Sequence, residues 1–194
     1  KIQGWQDLHK LTHDEDRGVR VRATDALEKA FSQIPDRTQA WQDLHTLILD
    51  EDILVRVHAA FSLGRTFSLI PDKALAWRDL HKLTLDEDRR ARWGAAFSLG
   101  TAFSQVPNKV LAWRDLHRLT QDEGGHVRAH AAFSLGRAFS LIPDKALAWQ
   151  DLHKLTQDED GQVRRAAAFS LGTAFCQVPN KVLARQDLHR LAQD

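Results

Sequence analysis

A block of 36 residues returns along this chain, and that period constrains the fold more than anything else in the sequence. Trp5, Trp41, Trp77, Trp113 and Trp149 mark its starts, and Arg185 stands where a sixth Trp would fall. A fixed period of roughly 20–50 residues is the mark of stacked units, each burying its apolar face only against its neighbours. The expected fold is an all-α solenoid, an α-α superhelix of two-helix repeats forming a single domain over 1–194. Its units are 5–40, 41–76, 77–112, 113–148 and 149–184, with a terminal helix over 185–194.

Residues 71–107 show why each unit reads as two helices. Pro71-Asp72 ends the preceding helix, and Asp72 is the expected N-cap of the next. Helix A runs through KALAWRDLHKLT, with Ala76, Leu80 and Leu83 at i, i+4 and i+7 forming an apolar stripe. The acidic LDED segment makes the turn, and Asp88 is placed to cap helix B, expected from about Arg89 to Gln105 before Val106-Pro107 closes the unit. A longer period of 72 is also present. GTAFSQVPNKVLA at 100–112 nearly returns at 172–184, and GRTFSLIPDKALA at 64–76 nearly returns at 136–148. The first unit departs most, with ATDALEKAFSQIPDRTQA at 23–40, and is read as a cap. The chain opens four residues before Trp5, which predicts a fragment of a longer array.

The segment DEDGQVRRAAAFSLG at 158–172 resembles HEAT repeats of the phycobilisome-lyase-like type, with their acidic pair, Val-Arg step, Ala-Ala pair and Leu-Gly. The pattern recurs as DEDILVRVHAAFSLG at 50–64 and DEGGHVRAHAAFSLG at 122–136, and more loosely at 86–100. The resemblance implies a right-handed, armadillo-like superhelix whose B helices line the concave face. It also implies an Asp–Arg ladder built from Asp14 and Arg20, Asp50 and Arg56, Asp86 and Arg92, Asp122 and Arg128, and Asp158 and Arg164. Tetratricopeptide repeats fit worse, because their period is 34 and this chain has no Tyr. The base-reading pattern of Pumilio-type repeats is absent from the sequence.

Projected at about 100° per residue, helix B of the last full unit gathers Val163, Ala167, Ser170, Leu171, Ala174 and Val178 on its core side. Arg165 and Phe169 fall opposite. Earlier units put Leu54, Val57, Phe61 and Arg65, then Arg90, Trp93 and Phe97, then His126, Phe133 and Arg137 on that same stripe. Phe61, Phe97, Phe133 and Phe169 would floor a groove widened by Leu54, Val57 and Trp93, with Arg65, Arg90, Arg137 and Arg165 as its rim. Such a groove suits a protein or peptide with apolar anchors and acidic flanks. The Phe ladder could equally pack between successive repeats. Trp93 occurs in one unit only, so generic stacking does not account for it.

The expected function is a monomeric, non-enzymatic binding scaffold. Nucleic-acid binding is the alternative, weakened by a balance of 27 Lys+Arg against 26 Asp+Glu and a net charge of +1. A bilin lyase or chaperone role is implied by the repeat type alone. No phosphate loop or nucleophile elbow is present, so no catalytic residue and no cofactor is expected. No apolar run approaches the ~18 residues of a membrane span. The single Cys176 permits no intrachain disulfide, which fits a cytoplasmic protein.

Six histidines in the DLH motif (His9, His45, His81, His117, His153 and His189) tempt a metal reading. Equivalent positions are separated by whole repeats, with helix axes about 8–10 Å apart, whereas zinc needs its ligands within about 2.1 Å. A structural role beside the Trp four residues earlier is expected instead. His126 and His130 lack a third ligand and read as polar face residues, so no metal is expected. The acidic turns read as caps rather than calcium loops. Gly64, Gly100, Gly136 and Gly172, inside helices, point to close helix approach.

Overall fold

The computed structural model describes residues 2–193, and among them it contains eleven α-helices, two short 3-10 turns and no strand. The A-type helices are α1 (Ile2–Leu11), α3 (Arg37–Ile48), α5 (Lys73–Leu83), α7 (Lys109–Leu119), α9 (Lys145–Leu155) and α11 (Lys181–Leu191). Between them lie the B-type helices α2 (Arg17–Ala30), α4 (Ile53–Thr66), α6 (Arg89–Ala102), α8 (Gly125–Ala138) and α10 (Gly161–Ala174). Asp194, the last residue of the expected terminal helix, lies outside the described residues. The chain forms two compact units, divided between Ser98 and Leu99 within α6.

The caps follow the sequence closely. Each A helix after the first opens on Asp36, Asp72, Asn108, Asp144 or Asn180, whose side chain accepts the backbone N–H three residues on. That bond satisfies one of the orphan donors of the first turn. In the acidic turns two carboxylates divide the work. Asp50 Oδ1 accepts the Asp52 N–H at 2.8 Å and tightens the turn, while Asp52 Oδ1 accepts the Leu54 N–H at 2.8 Å and starts α4. Asp158 and Asp160 repeat this ahead of α10. At α8 the capping place is held by Gly124, which offers no side chain, and Asp122 alone holds the turn at the Gly124 N–H.

In the first unit α4 packs on both α2 and α3, and in the second α8 and α10 pack on each other and on α9. The expected stripe of α5 is buried at Ala76, Leu80 and Leu83, together with Trp77. The Phe that directly follows each of the first four B helices (Phe31, Phe67, Phe103 and Phe139) is wholly buried, whereas Phe175 after α10 is half-buried. Helix approach is set by glycine. A Cβ on Gly64 would stand 2.6 Å from Ser98 Cα, and one on Gly136 would stand 2.6 Å from Ser170 Cβ. Only a residue without a side chain permits that contact.

Two ladders of side chains run under the helix ends. Arg20 reaches Asp50 at 2.7 and 2.9 Å, Arg56 reaches Asp86 at 3.1 and 3.4 Å, and Arg128 reaches Asp158 at 2.7 and 2.8 Å. The Asp and Arg six residues apart are therefore joined across repeats. Within its own repeat the Arg donates to turn carbonyls, as Arg128 does to Asp122 and Glu123. The second ladder is the DLH motif itself. His9 meets Asp43 at 2.8 Å, His45 meets Asp79 at 2.6 Å, His117 meets Asp151 at 2.7 Å and His153 meets Asp187 at 2.6 Å. Burial pushes the Asp79 and Asp151 carboxyls above the usual carboxylate range, against the pull of their histidines.

Candidate functional site

The stripe expected on the B helices is built differently in the two units. In the first, α4 and the start of α6 bring three rings together. Phe61 meets Trp93 edge-on with centroids 4.9 Å apart and lies 5.2 Å from Phe97. All three are half-buried. Arg65 caps the cluster, with its guanidinium carbon 5.9 Å from the Phe61 centroid and 5.4 Å from that of Phe97. Leu54 is 39% exposed at the start of α4, but Val57 is only 7% exposed. Val57 therefore belongs to the helix contact rather than to an open floor. The reason is Gly94, which brings α6 onto α4 so closely that a Cβ there would sit 3.4 Å from the Val57 carbonyl.

The two stripe arginines of this unit, Arg65 and Arg90, are already paired. Arg65 Nη1 donates to both carboxylate oxygens of Glu28, at 3.0 and 3.2 Å. Arg90 turns back on the cap of its own helix, giving Asp88 its backbone N–H at 2.8 Å and its guanidinium at 2.8 and 3.1 Å. Those bonds pull the Asp88 carboxyl down to about 2. On α2, Asp25 accepts from His58 at 2.8 Å and Glu28 accepts from Ser62 at 3.0 Å. The sequence carried a signal for this acidic patch: Asp25 and Glu28 stand where later units have Phe61 and Gly64.

The second unit presents the stripe with its charges open. Phe133 meets Phe169 edge-on at 5.6 Å and packs on a core cluster that includes Ala129, Ala132, Val163 and Ala166. Phe169 is 60% exposed, on the last B-type helix of the chain. His126, Arg137 and Arg165 are exposed around this ring pair, and among the described residues neither arginine has a carboxylate within ion-pairing distance. His130 sits behind them with Nδ1 3.1 Å from the His126 carbonyl, and desolvation lowers its pKa, which keeps the ring neutral. The Phe residues thus stack from helix to helix while keeping exposed edges.

The DLH histidines lie away from this stripe. His45, His81, His117 and His153 each pack beside the Trp four residues before them, as with Trp113 and His117 at 5.6 Å and Trp149 and His153 at 5.7 Å. Their bond to the Asp of the next A helix was missed in the sequence, although Asp and His recur two residues apart in all six copies of the motif. No described helix is long and apolar enough to cross a membrane.

No protein-family model and no curated protein matches the chain. Solved structures do. An engineered protein is similar over 97% of this chain and 98% of its own, with 21% identity and a TM-score of 0.66. A designed armadillo repeat protein in complex with the peptide (KR)4 matches 96% of this chain and 87% of its own, with 17% identity and a TM-score of 0.64. A chain of the Pds5-Scc1 complex matches 95% of this one over 31% of its own length, with 12% identity and a TM-score of 0.66. The fold is that of armadillo- and HEAT-like helical repeat proteins.

Proposed function

We propose that the chain is a non-enzymatic scaffold that holds a protein or peptide against its B-helix stripe. One observation carries the reading: Arg137 and Arg165 stand exposed, with no ion-pair partner among the described residues, beside the half-open ring pair of Phe133 and Phe169. Apolar rings between uncommitted guanidinium groups suit a segment with an aromatic or aliphatic anchor and acidic flanks. Arg65 and Arg90 contribute less, because Glu28 and Asp88 already neutralise them. Among proteins of this fold, the designed armadillo repeat protein is in complex with (KR)4, and related designs serve modular peptide recognition. The charge preference proposed here is the reverse of that basic peptide. The finer kinship with phycobilisome-lyase-like HEAT repeats rests on the recurring DED…VR…AAFSLG pattern alone.

The test is selection from a displayed peptide library followed by fluorescence anisotropy on the enriched sequences. Acidic peptides with one or two apolar anchors should be enriched. Their affinity should fall about tenfold or more in a variant carrying Arg137→Glu and Arg165→Glu. Enrichment without charge preference, or affinity unchanged in the variant, would remove this face from consideration. Tighter binding of duplex DNA, with a steep loss on raising salt, would favour the nucleic-acid alternative.

A further inference from the structure

In the first unit one rung of the His–Asp ladder differs from the others in two side chains, and both differences bear on the same buried carboxylate. Asp43 is 1% exposed; its Oδ1 accepts from His9 at 2.8 Å and Gln39 at 3.1 Å, while its Oδ2 is buried with no hydrogen-bond partner among the described residues. A buried carboxylate oxygen without a partner is rare enough to require an explanation. In every later copy a cation stands three residues after the ladder Asp: Lys82, Arg118, Lys154 and Arg190. Arg118 and Arg190 reach their carboxylates at 3.1 and 2.9 Å. After Asp43 the position is Thr46, so this carboxylate has no such cation.

The second departure supplies an imidazole at the same place. Four residues after the DLH histidine, later copies carry Leu49, Leu85, Gln121, Gln157 and Gln193. Those glutamines stand against the histidine ring, with Nε2 to Nε2 distances of 3.1 Å at His117, His153 and His189. The first copy has His13 instead, with its ring 5.0 Å from that of His9. His13 Nδ1 lies 3.1 Å from the His9 carbonyl, which can only accept, so Nδ1 carries the proton and Nε2 keeps its lone pair. A backbone acceptor of that kind orients metal-binding imidazoles.

We propose that His9, His13 and Asp43 form a site for a divalent transition-metal ion of the zinc class. One ligand atom from each lies within 4.8 Å of the other two. Zinc bonds of about 2.0–2.1 Å hold tetrahedral ligands about 3.3 Å apart, so the His13 ring must draw in while His9 Nδ1 and Asp43 Oδ1, 2.8 Å apart, open slightly. His13 is exposed, in the turn after α1, and drawing its ring inward strains its contacts with the His9 carbonyl at 3.1 Å and Thr12 Oγ1 at 2.9 Å. The ion replaces the proton between His9 Nδ1 and the Asp43 carboxylate, and that proton is released to solvent. The charge of the ion lies beside both carboxylate oxygens, and water completes the tetrahedron. Two imidazoles with one carboxylate favour zinc, cobalt or nickel over calcium and magnesium, which take oxygen ligands. The fixed cation missing at Thr46 is thereby replaced by a bound one. The site lies on α1, the turn that follows it and α3, and shares no residue with the B-helix stripe, so it stands or falls independently of the proposed function.

The experiment uses the full chain, with any affinity tag removed and metal stripped by a chelator, titrated with Zn2+ and with Co2+. One equivalent of Zn2+ should bind and raise the melting temperature, and Co2+ should give the visible absorption of a tetrahedral site. His13→Gln installs the residue of the later copies; it should preserve the circular dichroism spectrum and weaken Zn2+ binding about tenfold or more. Thr46→Lys touches no ligand and restores the usual cation, so it should also weaken Zn2+ binding while the metal-free protein melts no lower. The proposal is overturned if wild type and both variants bind Zn2+ alike, if Zn2+ leaves the melting temperature unmoved, or if Mg2+ and Ca2+ stabilise as well as Zn2+.

Discussion

The guanidinium of Arg128 grips both carboxylate oxygens of Asp158, at 2.7 and 2.8 Å, and spends its remaining nitrogen on the carbonyls of Asp122 and Glu123. One side chain thus closes the turn of its own repeat and ties it to the next. The two side chains are only 14% and 11% exposed, so the pair is largely withdrawn from water. Arg128→Ala would leave Asp158 without its main counter-charge and should cost ~1–3 kcal/mol, read as a lower urea midpoint. Arg128→Lys keeps the charge but not the fork, and should recover less than half of that loss. A midpoint unchanged in both variants would mean that the rung contributes nothing.

Glycine in a helix usually weakens it, yet here two equivalent glycines should respond oppositely to Ala. A Cβ on Gly136 would stand 2.6 Å from Ser170 Cβ and 2.8 Å from its Cα, so α8 and α10 would have to move apart. Gly136→Ala should therefore destabilise by ~1–3 kcal/mol. Among the described residues, a Cβ on Gly172 would meet nothing beyond its own helix within 4 Å. Gly172→Ala should stabilise by ~0.5–1 kcal/mol through backbone entropy. Paired thermal melts decide the matter, and a stabilising Gly136→Ala would refute the close approach.

The period, the caps and the close approaches at Gly64, Gly100 and Gly136 were legible because each is local: a helix end needs an acceptor, and a tight crossing needs a missing side chain. Gly172 was expected to make the same approach and does not. The Asp–Arg ladder was visible only through the family pattern, since Arg128 and Asp158 are 30 residues apart. The His–Asp ladder escaped for a related reason. Asp43 and His45 look like neighbours on one helix, yet His45 bonds Asp79, one repeat further on. Pairing distance between repeats is a property of stacking, which no single unit encodes. The stripe was readable as a helical face, but its accessibility was not. Val57 and Phe169 share that face, and what separates them is whether another helix covers them.

That difference in cover makes Phe133 and Phe169 separable in solution. Phe133 packs on Ala129, Ala132, Val163 and Ala166, whereas Phe169 is 60% exposed. Phe133→Ala should cost ~1–3 kcal/mol, at or below the lower end of core Phe truncations because the ring is half-buried. Phe169→Ala should stay within ~0.5 kcal/mol of wild type. Binding of an acidic, apolar-anchored peptide should nevertheless weaken in Phe169→Ala. A large stability loss there would make Phe169 a packing residue.

The start of α6 supplies a test against pH. Asp88 accepts the Arg90 N–H at 2.8 Å and the Arg90 guanidinium at 2.8 and 3.1 Å, and its carboxyl is held down at about 2. An unfolded Asp titrates near 3.9. Because the folded value is the lower one, the charged form is favoured in the folded state. Its contribution is complete above about pH 4 and is lost as pH falls toward 2. Arg90 is half exposed, so solvent and salt screen the pair and the effect stays small. Asp88→Asn keeps an acceptor at the cap but has no charge to lose. The variant should start less stable at pH 5 and converge on wild type by pH 2, and added salt should narrow the initial gap. Urea midpoints taken at intervals across that window give the comparison, with every other carboxylate common to both proteins. Parallel curves would mean that Asp88 is not held in its charged form by Arg90.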